Sequence, residues 1–395
     1  MKPAARVQMA IDLLDLIITA ARDRGAAADV ILARWFAERR FAGSKDRRAV
    51  RALVYDAIRH SGEIPASGRA AMLAVARARP ELAEWFDGSH YGPAPITDGE
   101  AVAAQGVAPA WLEAALEASG LGGDERTALL DRAPLDLRVN RLKATRAEIA
   151  ETFDGAERLD FAPDAIRLPE DTPVDRTDAF VAGQFEVQDA GSQLVSALAG
   201  AAPGMTVIDL CAGGGGKTLA LAAAMENRGT ILACDVDRPR LSRLTPRAER
   251  AGVTIAETLL LDPGRENDRL ADWRERADLV VVDAPCSGTG TWRRNPEARW
   301  RLTPAQLDRY VDTQAHLLDV AARLVRPGGA LVHIVCSLLD AEGAGQVERF
   351  LAAQAGWSAV PLVSPAGRLR GDGLRLTPLH DTTDGFFVAK LVRQC

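Results

Sequence analysis

Between residues 206 and 335 short, apolar, β-rich runs alternate with helical stretches, a rhythm that few folds accept. The runs cover 206–210, 230–234, 259–261, 278–282 and 330–335, and helical patterns cover 217–225, 238–251, 304–324 and 341–354. Strands that are apolar throughout have no face left for water, so helices must cover both sides of the sheet they form. The expectation is an α/β Rossmann-type domain over residues 188–395, with a mainly parallel sheet and ligands at its carboxyl edge. Upstream the texture differs. Leu135, Leu137 and Val139 alternate with Asp136, Arg138 and Asn140, the signature of a half-buried strand, and open a small α/β module over 131–187. Val7, Ile11, Leu14, Ile18 and Ala21 recur at helical spacing, as do Val50, Leu53, Val54, Ala57 and Ile58, so 1–86 reads as all-helical. Residues 87–130 read as a Gly- and Pro-rich linker followed by short helices at 111–118 and 125–131.

Composition narrows the partners. The 395 residues carry a net charge of −6, which taken alone argues against a chain coated for nucleic acid. The average hides an asymmetry, because residues 1–60 hold 12 basic and 7 acidic side chains. Within them a helix starting near Ser44 carries Lys45, Arg47 and Arg48 in its first turns, where they oppose the helix dipole. An external anion would account for that placement, and so would a solvated helix face. No run reaches the ~20 apolar residues of a membrane span, and no signal-peptide pattern is present, so a cytoplasmic protein is expected. Five cysteines (211, 234, 286, 336 and 395) show no zinc spacing, and an odd number suits a reducing compartment. The histidines show no metal spacing either, and no metal is expected.

The most informative loop is Asp209-Leu210-Cys211-Ala212-Gly213-Gly214-Gly215-Gly216-Lys217-Thr218, a strand, a glycine turn and a helix start. A phosphate-binding P-loop would need glycine at 211, which is Cys. The dinucleotide pattern fails as well, ending on Thr218 or Leu219. S-adenosylmethionine remains, held by Cys211, Ala212, Gly213, Gly214, Gly215, Gly216 and Lys217. Asp235 ends the second strand where an acid meets ribose hydroxyls, and Asp262 follows the third, where the adenine edge would lie. Each aspartate alone would also suit a helix cap or turn.

The fourth strand runs into Asp283-Ala284-Pro285-Cys286-Ser287-Gly288-Thr289-Gly290 and the fifth into Cys336-Ser337. A single cysteine is by default a buried small hydrophobe. Two at the carboxyl ends of adjacent strands point to chemistry. With Arg138-Val139-Asn140, Val187-Gln188-Asp189-Ala190, the loop at 209–218, Arg293-Arg294-Asn295-Pro296 and Asp384-Gly385-Phe386-Phe387, residues 135–395 resemble the Sun-type RNA cytosine-5 methyltransferase family. The basic helical N-terminus is similar to the NusB-like RNA-binding domain of its RsmB-like branch.

The resemblance implies methylation of cytidine carbon 5 in structured RNA, most naturally 16S ribosomal RNA, by a monomer using S-adenosylmethionine. Carbon 5 is a poor nucleophile until a thiolate adds at carbon 6, which is why such a site needs cysteine. The sequence leaves the nucleophile open between Cys286 and Cys336. The family pattern gives attack to Cys336 and product release to Cys286, and has Asp283 and Lys217 hold the base and line the cofactor site. Lys217 also reads as an ordinary first-turn helix lysine. Two positions depart from the pattern: Gly213-Gly214 replaces Ala-Pro, and Val335 replaces Thr. RNA contacts are expected from Arg47, Arg48, Arg138, Asn140, Arg293 and Arg294. The last two sit in 292–301, which holds four arginines and two tryptophans, a pattern that suits phosphates and an unstacked base or a loop packed by its indoles. Three other readings compete: an RNA-binding assembly factor with an inactive methyltransferase domain, a tRNA enzyme, and an enzyme acting on DNA or a small molecule.

Overall fold

The computed structural model describes residues 1–395, which divide into two compact units. One comprises residues 1–131 and 291–303, the other 132–290 and 304–395.

The first unit is helical. Helices Pro3–Arg22, Ala28–Glu38, Ser44–His60 and Gly68–Ala78 pack around Leu13, Leu14, Ile17, Leu32, Val54, Ile58 and Met72, all nearly or wholly buried. The third helix begins at Ser44, where the sequence suggests, with Gly43 as its cap. Residues 87–108 have little regular structure, yet they are not a free linker. Arg69 donates to the carbonyls of Ala94 and Pro95 and pairs with Glu100 at 2.6 Å, and Ala103 N–H donates to Ala70 O. Helices Ala110–Ala118 and Gly123–Ala128 follow.

The segment 291–303 completes this unit. Trp300 joins the helical core and its indole N–H donates to Ser61 O at 3.0 Å. Arg299, wholly buried, donates to the carbonyls of Pro296, Ile58 (2.6 Å) and Ser61 (2.9 Å). Arg301 reaches Gly25 O and Ala26 O, and Glu297 accepts Ala28 N–H at 2.9 Å. Buried polar groups demand partners, and here each guanidinium finds backbone carbonyls.

The second unit opens with a four-stranded antiparallel sheet of β1 (Leu135–Val139), β2 (Glu157–Arg158), β3 (Ala165–Leu168) and β4 (Phe185–Val187), in the order β2-β3-β1-β4. Its helix Arg146–Thr152 starts with a capping box between Thr145 and Glu148. The main sheet contains β5 (Thr206–Asp209), β6 (Thr230–Asp235), β7 (Ala256–Leu260), β8 (Ala277–Asp283), β9 (Val325–Val335), β10 (Trp357–Val360), β11 (Arg368–Arg370), β12 (Gly373–Leu376) and β13 (Phe386–Arg393). Its order is β11-β12-β13-β9-β8-β5-β6-β7, with β10 beside β13. β5 to β9 are parallel, while β13 runs antiparallel to β9. The sheet is thus the mainly parallel Rossmann-type sheet of the methyltransferase fold, with antiparallel strands added at one side. The helical pattern at 238–251 resolves into two helices, Arg238–Leu241 and Leu244–Ala251. No helix is long and apolar enough to cross a membrane.

Candidate active site

The parallel strands all deliver their last residues to one edge. Asp209 ends β5, Asp235 ends β6, Asp283 ends β8, and Cys336 follows β9.

After β5 the backbone turns through Gly213 (φ +53°) and Gly215 (φ +85°) into the helix Gly216–Ala224. Left-handed backbone favours glycine, and here space adds a second reason. A Cβ on Gly213 would lie 2.6 Å from Arg240 Nη2, so the guanidinium fills room that an alanine methyl would take. The buried Asp235 carboxylate holds the turn: Oδ2 accepts Gly213 N–H at 2.7 Å and Oδ1 accepts Asp237 N–H at 2.8 Å. Each oxygen keeps a lone pair for a further donor. That pair of acceptors fits the two hydroxyl donors of a vicinal diol, as the ribose of S-adenosylmethionine presents. Asp262 lies exposed just beyond β7. Burial raises the thiol pKa of Cys211, so the sulfur stays a neutral, weakly polar lining of the loop.

Asp209 is wholly buried below the turn. One oxygen accepts the Thr218 hydroxyl at 2.7 Å and the other has no partner. Burial pushes its pKa up to about 7 against the relief offered by Thr218.

Lys217, nearly buried, pairs with Asp283 at 2.7 Å and stands 5.6 Å over the Phe386 ring. Burial alone would lower its pKa, but the charge and hydrogen bond of Asp283 raise it, and a Cys336 thiolate adds to the effect. The lysine is therefore a fixed cation. This is no ordinary first-turn lysine reaching into water.

The sulfurs of Cys286 and Cys336 stand 3.4 Å apart. Cys286 has its thiol pKa raised, by the hydrogen bond with Cys336 and then by burial. At this distance an S–H on one cysteine can stabilise a thiolate on the other. The Cys286 turn needs a close backbone approach, for a Cβ on Gly290 would fall 2.1 Å from Gly385 O. Gly290 N–H donates to Cys336 O at 3.0 Å and Gly385 N–H to Gly290 O at 2.8 Å, joining the two cysteine loops to the start of β13.

Around them lies a polar cluster that sequence reasoning missed: Ser287, Thr289, Gln314, Ser337 and Glu342. Glu342 lies six residues beyond Cys336, inside the helical pattern expected over 341–354; the helix begins only at Ala344, and helical periodicity gives no sign of a buried carboxylate in the turn before it.

The expected RNA contacts divide. Arg48 is exposed. Arg47 is half-buried, donates to Ala42 O at 2.7 Å and covers the Phe36 ring. Arg138 and Asn140 require correction, because both are buried and bound to backbone. Arg138 donates to Gly216 O at 2.6 Å and to Gln188, and so fixes the cofactor turn, with its pKa lowered to about 10 by burial. Asn140 donates to Gly183 O and Ala251 O, both at 2.8 Å. In the helical unit Arg293 is also buried, as are Trp292, Arg299 and Trp300, and Arg294 is half-buried. Packing by indoles, one of the two readings of 292–301, is the one this geometry favours, because a buried guanidinium has no open face for a phosphate.

Residues 197–392 match the family model described as 16S rRNA methyltransferase RsmB/F. The ribosomal RNA small subunit methyltransferase B of Sodalis glossinidius is 33% identical over 339 residues, covering 81% of this chain and 75% of that protein. A probable ribosomal RNA small subunit methyltransferase B of Synechocystis sp. is 37% identical over 270 residues, 65% of this chain. That match spans only 59% of the Synechocystis protein's own length. The crystal structure of PH0851 superimposes with a TM-score of 0.76 at 26% identity, over 99% of both chains. The chain belongs to the RsmB/F methyltransferase family, whose methyl donor is S-adenosylmethionine.

Proposed function

We propose that this protein transfers a methyl group from S-adenosylmethionine to carbon 5 of a cytidine in 16S ribosomal RNA through a covalent cysteine adduct. The observation that carries the reading is the pair of sulfurs 3.4 Å apart beside the Lys217–Asp283 ion pair, at the carboxyl edge of the sheet. The bound cofactor supplies an electrophilic methyl group. The Cys336 thiolate adds to carbon 6, and the electron pair of the 5,6 bond becomes available at carbon 5 to take that methyl. Asp283 accepts from the exocyclic amine and Lys217 balances its charge. Loss of the carbon-5 proton returns the electron pair to the ring and expels the sulfur. The Cys286 thiol is placed to protonate the departing thiolate. The target base must leave its stack, which costs a few kcal/mol and least in unpaired RNA.

The exposed Arg48 on the helical unit supplies an RNA-facing charge in this reading, and the protein works in the cytoplasm. The support comes from the family, the two-sulfur geometry and the diol-ready Asp235.

The test uses purified protein, labelled S-adenosylmethionine and three substrates: unmodified 16S ribosomal RNA, total tRNA and duplex DNA. The expected result is label in 5-methylcytidine of the ribosomal RNA alone. Cys336→Ala should abolish transfer, by about four orders of magnitude or more. Cys286→Ala should accumulate a protein–RNA adduct that survives a denaturing gel. Transfer by Cys336→Ala sinks the assignment of nucleophile. Absence of both transfer and cofactor binding by calorimetry moves the chain to the inactive assembly factor.

A further inference from the structure

Glu342 is wholly buried in the loop after β9. A carboxylate taken out of water must be saturated by donors, and burying it costs several kcal/mol even so. Its donors are four and all neutral. Oε1 accepts Ser287 N–H at 2.8 Å and Gln314 Nε2 at 3.0 Å. Oε2 accepts the hydroxyls of Ser287 and Ser337. The backbone of Glu342 is itself held, since its carbonyl accepts His333 Nε2–H at 2.9 Å from β9. Burial keeps that imidazole neutral, with its pKa lowered to about 4.

The identity of the donors is what matters. Ser287 directly follows Cys286, and Ser337 directly follows Cys336. One carboxylate therefore anchors the residue after each cysteine. Gln314 extends the grip, for its Nε2 also donates to Pro285 O at 3.0 Å, just before Cys286. The two serine hydroxyls lie 3.1 Å apart, and Thr289 adds 3.2 Å to Ser337 and accepts Leu338 N–H at 2.8 Å. A knot needed only for packing would be cheaper as apolar side chains of equal volume. Here a full negative charge is buried behind two thiols, and it contributes to the raised pKa of Cys286.

We infer that Glu342 is a positioning residue: through Ser287 and Ser337 it holds the two cysteine sulfurs in register for attack and release. This rests on the two-cysteine reading above, so the test includes a readout that needs no RNA. Diamide oxidises a pair of neighbouring thiols to a disulfide, itself taking up the two electrons and two protons, and the rate reports how well the sulfurs are juxtaposed. The full chain is treated with diamide and the peptide linking Cys286 to Cys336 is followed by mass spectrometry. Wild type, Glu342→Gln, Ser287→Ala and Ser337→Ala are compared, with thermal melting and S-adenosylmethionine binding measured alongside.

Glu342→Gln keeps the shape and loses the charge and one acceptor. The expectation is linkage of the two cysteines about 10-fold slower and single-turnover transfer about 10- to 100-fold slower, the scale of a misplacement near 1 Å. Cofactor affinity should stay within about threefold. The serine variants should each slow transfer, with no further loss when added to Glu342→Gln. Unchanged linkage and transfer in folded Glu342→Gln overturns the inference, and so do serine effects that multiply with it. Failure of Cys286→Ala to trap an adduct, with linkage still slowed by Glu342→Gln, removes the two-cysteine chemistry and leaves the anchoring of the loops intact.

Discussion

Two consecutive stretches of this chain treat buried charge in opposite ways. Residues 291–303 bury Arg299 and satisfy it with backbone carbonyls from Pro296, Ile58 and Ser61. Burial still draws its pKa down to about 9, but its hydrogen bonds are to groups that neither titrate nor move. Residues 283–290, immediately before, belong to a site where charges face one another instead. Lys217 meets Asp283, Asp209 keeps one oxygen without a partner, and Glu342 draws in neutral donors from both cysteine loops. The first arrangement ties its charges to backbone. The second sets ionisable groups against one another and holds a proton near its titration point, which are properties a substrate can use. Burial of polar groups is common to both, and so are unpartnered atoms, since Glu297 Oε2 and Arg299 Nε lack partners as Asp209 Oδ1 does. What separates the two is the facing of titratable groups in the second.

The comparison can be broken, and the largest expected effect comes from the packed segment. Trp300→Ala removes a buried indole and its bond to Ser61 O, and should lower the stability of the helical unit by about 3–5 kcal/mol. Urea unfolding followed by far-ultraviolet circular dichroism measures this. A loss below about 1 kcal/mol would mean that the segment is merely draped on the surface.

Asp209 tests the other side. Its carboxyl pKa is raised to about 7 when folded, against an ordinary value near 4 in the unfolded chain. The folded state therefore binds the extra proton between these values. Its contribution to stability is fully present below about pH 4 and is lost as pH rises to about 7, by up to roughly 4 kcal/mol. Asp209→Asn should flatten that slope in urea midpoints taken from pH 4.5 to 8. An unaltered slope would show that the site does not store strain in this group.

The smallest effect belongs to a charge with neither kind of burial. Arg48→Ala should change stability by less than about 0.5 kcal/mol. RNA affinity should lose about 0.7 from the slope of log K against log salt, one phosphate contact's worth on a single strand. A slope identical to wild type removes Arg48 from the RNA-facing surface.

Legibility in the sequence followed periodicity. β5, β6, β8 and the second half of β9 could be read because each is an apolar run closed by a turn, and Asp235, Cys286 and Cys336 could be read because they stand at the ends of those runs. β7 (Ala256–Leu260) begins three residues before the apolar run at 259–261, with Glu257 and Thr258 exposed, and β11 (Arg368–Arg370) is a short Arg-Leu-Arg edge strand with too little apolar signal to read. Arg138 and Asn140 looked like RNA ligands because alternation places polar residues on the open face of a strand. In this fold that face is covered, and their donors hold the carbonyls of Gly216, Gly183 and Ala251. The four arginines and two tryptophans of 292–301 have a composition equally suited to RNA and to a buried seam. Only the location of backbone carbonyls decides between them, and that is long-range information. Glu342 is hidden for a related reason, since beside Ser337, five residues off, its donors come from 28 and 55 residues away.

The inserted segment also bears on how such a protein can be taken apart. Because 291–303 belongs to the helical unit, that unit is joined to the rest of the chain at three peptide bonds rather than one. Cutting after residue 131 would not release a clean catalytic fragment. It would leave two indoles and a guanidinium built for burial hanging from the loop that follows Cys286. A fragment lacking 1–131 would therefore expose side chains that the helical unit normally buries.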